Sequence, residues 1–346
     1  MSEIKTAQPL QIAGIEINRG ESKSLQLPTI RLYTGGETNI PVYVKRGKNP
    51  GPTLFVSAAI HGDELNGVEI ISRLINSRTM RNLRGTLIAV PTVNIYGVIN
   101  QSRYLPDRRD LNRSFPGSKR GSLAARLAHL FFTEVVEKCN YGIDLHTGAK
   151  HRSNLPQIRA NLDDSETLAL ARAFGVPVLI NANTPDGSLR ESAAGRGVKM
   201  LLFEGGEALR FDELSIRVGL RGIINVMRYL GMLKERRSSK STVIEPYVAR
   251  ESGWVRATDS GIVKHLKALG DYVKKDELLA NIADPLGQLI ASVYSPTDGV
   301  IIGKQNIPLV QEGEAMYHIA YFKKPDGVIE NIELMQDHLI PDEDES

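Results

Sequence analysis

Thr53–Ser77, reading TLFVSAAIHGDELNGVEIISRLINS, commits the chain to a buried strand that runs straight into a helix. Leu54 to Ile60 is a run of small and β-branched residues with the length and composition of a fully buried strand. Beyond His61-Gly62-Asp63-Glu64 the apolar residues Leu65, Val68, Ile71, Leu74 and Ile75 recur at helical spacing. His61 and Glu64 therefore stand three residues apart in a tight strand-to-helix turn, where Gly62 is expected to allow the bend. In a mostly parallel α/β sheet such a turn lies at the C-terminal edge of the strands, where ligands usually bind.

An imidazole and a carboxylate at i and i+3 can converge on one cation. Hydrolytic zinc takes three protein ligands, two His and one Glu being one such set, and keeps a position for water. A His-x-x-Glu pair alone also serves capping and solvation, so a third ligand is needed. Tyr141–Leu145 reads as a short apolar strand, and His146 falls where it ends. His146 could be a satisfied core histidine, but Asp144 lies two residues before it, well placed to orient a metal-ligating ring.

Four motifs follow one another along the chain: His61-Gly62-Asp63-Glu64, Asp110-Leu111-Asn112-Arg113-Ser114-Phe115-Pro116-Gly117, Asp144-Leu145-His146-Thr147-Gly148 and Phe203-Glu204-Gly205-Gly206-Glu207. Their order resembles the succinylglutamate desuccinylase/aspartoacylase family of the zinc carboxypeptidase-like superfamily, over roughly Thr53 to Leu233. The resemblance implies an α/β fold, a zinc-carboxypeptidase-like mixed sheet flanked by helices. It also implies a zinc-dependent deacylase with one Zn2+ per chain on His61, Glu64 and His146. By the same resemblance Glu204 is the catalytic glutamate and Asn112-Arg113 hold the substrate carboxylate. Arg103 is similar to the arginine that polarises the scissile carbonyl.

The residue chemistry agrees with these roles. A guanidinium fork beside an amide binds a carboxylate bidentately. Glu204 closes the apolar run Val198–Phe203, which is expected to end there and bring it to the sheet edge of His61 and His146. Glu207 is its rival, because Gly205-Gly206 would let the chain fold back. Arg108 and Arg109 compete with Arg103 on the irregular passage 92–121. So long a loop in a compact domain is usually functional or disordered, and Arg103, Arg108, Arg109 and Arg113 on it favour function.

Across all 346 residues, 43 Lys+Arg stand against 40 Asp+Glu, which argues against nucleic acid or a membrane surface as the main partner. Cys139 is the single cysteine, which excludes an intramolecular disulfide and fits a reducing compartment. The N-terminus lacks a basic segment followed by a long apolar run, and no stretch reaches the ~20 apolar residues that span a bilayer. The expectation is a cytoplasmic protein acting on a small N-acyl amino acid with a free carboxylate. Homo-oligomerisation stays open.

The hydrolase domain is expected over residues 1–237, with β-structure at a sheet edge over 11–48, where Leu25, Leu27, Ile30 and Leu32 roughly alternate. Strands are expected at 86–91, 154–161, 177–181 and 198–203, and helices at 122–139, 165–174 and 211–233. This alternation argues for α/β layers. Lys234–Ser241, charged and serine-rich, reads as a linker. An all-β module follows over 242–325, with a weak internal repeat: Thr258-Asp259-Ser260-Gly261 is echoed by Thr297-Asp298-Gly299. Two such halves resemble the barrel-sandwich of biotinyl and lipoyl domains, but the hairpin Ala283–Gln288 has no lysine to carry a prosthetic group. A tail, 326–346, ends in an acidic segment expected to fray.

Two functions compete on these grounds. One is an amidohydrolase that removes an acetyl or succinyl group from an N-acyl amino acid; the other is a carrier in which the β-module is the working part. The ligand set and the missing hairpin lysine favour the enzyme. Within the enzyme class, a zinc carboxypeptidase is the alternative.

Overall fold

The computed structural model describes residues 9–31, 34–182, 185–235, 246–322 and 328–337. Leu32, most of the expected linker and the acidic end of the tail lie outside them.

A thirteen-stranded mixed sheet forms the body. Four strands at its centre run parallel: Arg84–Val90, Asn49–Ala58, Tyr141–Gly148 and Lys199–Glu207. Side chains of Asn49–Ala58 alternate between two cores, Leu54, Val56 and Ala58 into one and Phe55 into the other. A strand covered on both faces has no use for a polar side, which is why its sequence is apolar throughout. The helices Asn66–Asn76, Ser165–Phe174 and Glu213–Tyr229 supply one cover. Leu123–Glu134 and Leu189–Ala194 supply the other. Antiparallel strands extend the sheet on both sides, Asn39–Arg46 and Ser22–Pro28 on one and Arg152–Ala160 on the other.

Several expectations shift in detail. The helix expected over 122–139 stops at Glu134, where Val135 leaves helical geometry (φ −120°, ψ −62°), and a 3-10 turn Val136–Lys138 follows. The helix expected over 211–233 is Glu213–Tyr229, started by the Asp212 carboxylate accepting from the Ser215 N–H. At the turn before His61 the left-handed residue is Ala59 (φ 52°), not Gly62. Gly62 is needed for close approach instead, because a Cβ there would lie 2.0 Å from the Gly97 carbonyl carbon.

The C-terminal strands divide between two sheets. Gly299–Gln305 pairs antiparallel with Arg152–Ala160, and Ala315–Tyr321 and Glu251–Arg256 continue outward, so the body sheet runs on into this region. A separate four-stranded sheet contains Leu289–Tyr294, Leu278–Ala283, Gly261–His265 and Leu309–Val310. Between the sheets lies a third core that includes Val263, Leu279, Ile282 and Tyr317. Within the expected tail, Val328–Asp337 is a helix whose Ile332 and Met335 join the main core. No described helix is long and apolar enough to cross a membrane.

Candidate metal centre and active site

His61 leaves the end of the Asn49–Ala58 segment, Glu64 the turn before helix Asn66–Asn76, and His146 the neighbouring strand Tyr141–Gly148. Parallel register brings the two strands side by side, Ala58 opposite Leu145. The three side chains meet: each offers a ligand atom, and these atoms lie within 4.8 Å of one another. His61 Nδ1 is 2.8 Å from Glu64 Oε1, and His146 Nδ1 is 2.7 Å from Glu64 Oε2. The two Nδ1 atoms are 3.2 Å apart.

The outer nitrogens are held by carboxylates. His146 Nε2 lies 2.7 Å from Asp144 Oδ2, whose other oxygen accepts from Ser57 Oγ at 2.7 Å. His61 Nε2 lies 3.2 Å from Asp110 Oδ1. A ring that donates Nε2–H outward turns its Nδ1 lone pair inward, which is how second partners aim ligating histidines. Two inward nitrogens and a carboxylate form the donor set that zinc takes in hydrolytic sites, so these residues fit the ion.

Burial works against charge on every one of these groups, and the partners outweigh it. His61 is pushed above its ordinary value by Glu64 and Asp110. His146 is pushed well above it by Asp144 and Glu64. Glu64, facing two imidazoles, is held far below the usual carboxylate range, as is Asp110 between His61 and Arg103. Positive charge is thus strongly favoured between these carboxylates, whether as protons or as a cation.

A cavity of about 290 Å³ opens on this cluster. Arg103, Asn112, Arg113 and Glu204 all line it. Arg103 bridges Asp110 Oδ2, at 2.9 Å, and Glu64 Oε1, at 3.5 Å. Asn112 Oδ1 accepts from the Leu189 N–H at 2.9 Å, which turns its Nδ2 donor elsewhere. Arg113 Nη1 donates to the Asn112 carbonyl at 2.7 Å. Arg108 and Arg109 are not among the lining residues, and Arg109 faces Asp107 at 4.0 Å.

Glu204 is next to His146 in register, so both side chains leave the same face of the sheet. The strand does not end at Glu204 as the sequence suggested; it runs on to Glu207 through a register shift. Gly205-Gly206 bends the strand without ending it, with Gly206 at φ 73°. Glu204 Oε2 accepts from Asn154 Nδ2 at 2.6 Å, and Oε1 pairs with Arg159 Nε at 3.2 Å. Glu207 does not line the cavity; it accepts from the His151 N–H at 3.0 Å and Asn306 Nδ2 at 2.8 Å.

Sequence reasoning gave no role to Asp110, Asn154, Arg159, Arg190, Trp254 or His318. Asp110 opens a quoted motif, and its capping of the Asn112 N–H (2.8 Å) conceals its second contact with His61. Asn154, Arg159, Trp254 and His318 come from strands and Arg190 from the helix Leu189–Ala194, with no local spacing to reveal them.

A family model described as the succinylglutamate desuccinylase/aspartoacylase catalytic domain matches residues 50–230. The N-alpha-acetyl-L-2,4-diaminobutyric acid deacetylase of Halomonas elongata is 30% identical over 298 residues, 82% of this chain and 86% of that protein. The succinylglutamate desuccinylase of Pseudomonas aeruginosa is 26% identical over 223 residues, 59% of this chain and 65% of the relative. Among solved structures, the product-bound ectoine utilization protein EutE (DoeB) of Ruegeria pomeroyi superposes with a TM-score of 0.79 at 24% identity, covering 91% of this chain and 99% of that one. A succinylglutamate desuccinylase/aspartoacylase of Rhodobacter sphaeroides gives 0.75 at 25% identity, covering 88% and 97%.

Proposed function

The chain belongs to the succinylglutamate desuccinylase/aspartoacylase family, and on that premise we propose that it is a zinc-dependent deacylase of small N-acyl amino acids. It is a hydrolase of amide C–N bonds outside peptides, as its curated relatives are named. The observation that carries the reading is the convergence of His61, Glu64 and His146 at the floor of a small cavity with Glu204 on its wall. His61, Glu64 and His146 would hold one zinc ion, which when bound supplies Lewis acidity and makes water nucleophilic near neutral pH.

The chain's own groups do the rest. Glu204 takes a proton from the attacking water and returns it to the departing nitrogen, and the proton left on the new carboxyl group follows to the amine, so that the products are a carboxylate and an ammonium and the charges balance. Arg103 donates toward the carbonyl oxygen as negative charge gathers there. The Arg113 guanidinium and the Asn112 amide hold the free carboxylate of the substrate and fix the scissile bond at one distance from the clamp. A cavity of about 290 Å³ suits an amino acid carrying an acetyl or succinyl group. In this reading the hydrolase domain spans 1–237, and the β-module, 242–325, is a barrel-sandwich that closes one side of the cleft, with Trp254 and His318 on the cavity wall.

The test is a turnover panel on zinc-loaded protein with Nα-acetyl-L-2,4-diaminobutyrate, N-succinyl-L-glutamate and the α-carboxamide of each. At least one free acid should be hydrolysed, its amide should be poor, and Glu204→Gln should lose about 10²–10⁴-fold in kcat with zinc content unchanged. Equal kcat/KM for acid and amide would remove the Asn112–Arg113 clamp. Glu204→Gln within a few-fold of wild type would remove the assigned base.

A further inference from the structure

The C-terminal module reaches the cavity through a stacked pair. Trp254 and His318 are opposite each other on neighbouring strands, with ring centroids 4.4 Å apart and planes inclined by 11°. His318 is 4% exposed. Its Nδ1 lies 3.4 Å from Arg159 Nη2, and its Nε2 lies 3.0 Å from Ser252 Oγ. A guanidinium can only donate, so His318 Nδ1 accepts, and the ring proton sits on Nε2 and goes to Ser252. The same Arg159 forms an ion pair through Nε with Glu204 Oε1 at 3.2 Å, a contact of charge rather than an aligned hydrogen bond.

Between these partners runs the strand Gly299–Gln305, which presents Gly303 opposite both Asn154 and His318. A Cβ at Gly303 would lie 3.0 Å from Asn154 Oδ1 and 3.1 Å from His318 Cβ. The missing side chain lets the module's imidazole and the body's polar residues close over this strand. Asn154 in turn donates to the second oxygen of Glu204 at 2.6 Å.

We infer that His318 is a positioning residue for Glu204: neutral and fixed by Ser252 and Trp254, it sets the Arg159 guanidinium, and Arg159 with Asn154 sets the plane of the Glu204 carboxylate. The β-module is thereby a working part of the hydrolytic site as well as a wall. The inference rests on the reading of Glu204 as the group that moves the proton. A carboxylate turned away from its proton partners loses rate without losing substrate, so the effect belongs in kcat.

The experiment compares His318→Phe, which keeps a flat ring against Trp254 but cannot accept a hydrogen bond, with His318→Asn, whose Oδ1 can stand where Nδ1 stood. Both are assayed on the best substrate of the panel above, beside Arg159→Met, the His318→Phe/Arg159→Met double variant and Glu204→Gln. A crystal structure of zinc-loaded His318→Phe is determined as well. The expected result is about a tenfold loss of kcat in His318→Phe with KM within twofold and recovery to within threefold of wild type in His318→Asn. Adding His318→Phe to Arg159→Met should cost nothing more, and the crystal should show the guanidinium displaced from Glu204. Equal losses in the two His318 variants, additive losses in the double variant, or Arg159 still against Glu204 in the crystal would overturn the inference. If Glu204→Gln stays active, the reading beneath falls and the inference with it. If Glu204→Gln is dead while His318→Phe matches wild type, only the inference falls.

Discussion

His61, His146 and His318 are each 4% exposed, yet the first two are pushed toward the charged form and the third away from it. Burial disfavours the imidazolium in all three. What differs is the company. His61 and His146 share Glu64 and have Asp110 and Asp144 behind them, so negative charge overrules desolvation. His318 faces the Arg159 guanidinium and a serine hydroxyl, so burial and repulsion act together and bring it down to about 3. The same residue at the same depth is drawn toward positive charge in one place and toward the neutral form in the other. Partners, not burial, decide the sign.

The contrast breaks most completely if the cluster of His61, Glu64 and His146 is dismantled. His146→Ala removes one of three converging donors and should abolish stoichiometric zinc binding and turnover, read by metal analysis and the deacylation assay. Retention of one zinc per chain would mean that other residues hold the ion.

Next in size is the acid stability at His318. His318 has a folded pKa of about 3 against an unfolded value near 6.5, so the unfolded chain binds the proton first as pH falls. Its contribution is present above pH ~6.5 and lost on the way down, about 3 kcal/mol by pH 4. Denaturant unfolding should show wild type losing more stability than His318→Asn between pH 7 and 4. Parallel losses would assign that acid limb to other groups.

A smaller effect is expected from the carboxylate behind the cluster. Asp144→Asn keeps the shape and removes the charge that holds His146 Nε2–H, and should weaken zinc by about 10–100-fold in competition with a chelator. Unchanged affinity would show that the lone pair of His146 is aimed without Asp144.

The smallest comes from partners without burial. Glu213, half exposed, takes a bidentate pair from Arg73 (2.8 and 2.9 Å) that ties two helices, and its carboxyl is lowered to about 2. That stability is present above the unfolded pKa near 4.3 and lost as pH falls toward 2. Water screens the pair, so Glu213→Gln should cost only about 0.5 kcal/mol at pH 7 and nothing at pH 2, by thermal melts. A cost persisting at pH 2 would make the contact one of packing.

Legibility in the sequence divides along the same line. The convergence of His61, Glu64 and His146 was readable because its parts are local signals: an apolar run leading into His61, Glu64 three residues on, and Asp144 two before His146. The parallel α/β body followed from strands alternating with helices. The surroundings of Glu204 were not readable, since Asn154, Arg159, Gly303 and His318 come together only through strand register, although nearly half the chain separates the first from the last. Glu204 itself was found by its motif but expected at a strand end, because two glycines read as a stop where they in fact make a bulge. The helix Val328–Asp337 was missed inside a supposed tail, although Ile332 and Met335 carry helical spacing.

If His61, Glu64 and His146 form one cation seat on which amide hydrolysis depends, rate must follow the metal. The direct measurement is a zinc titration of metal-stripped protein followed by its rate on the best substrate of the panel. The rate should start near zero, rise linearly and break at one equivalent per chain, with no such rise in His146→Ala. Full activity in the stripped protein, or a break unaffected by His146→Ala, would contradict it.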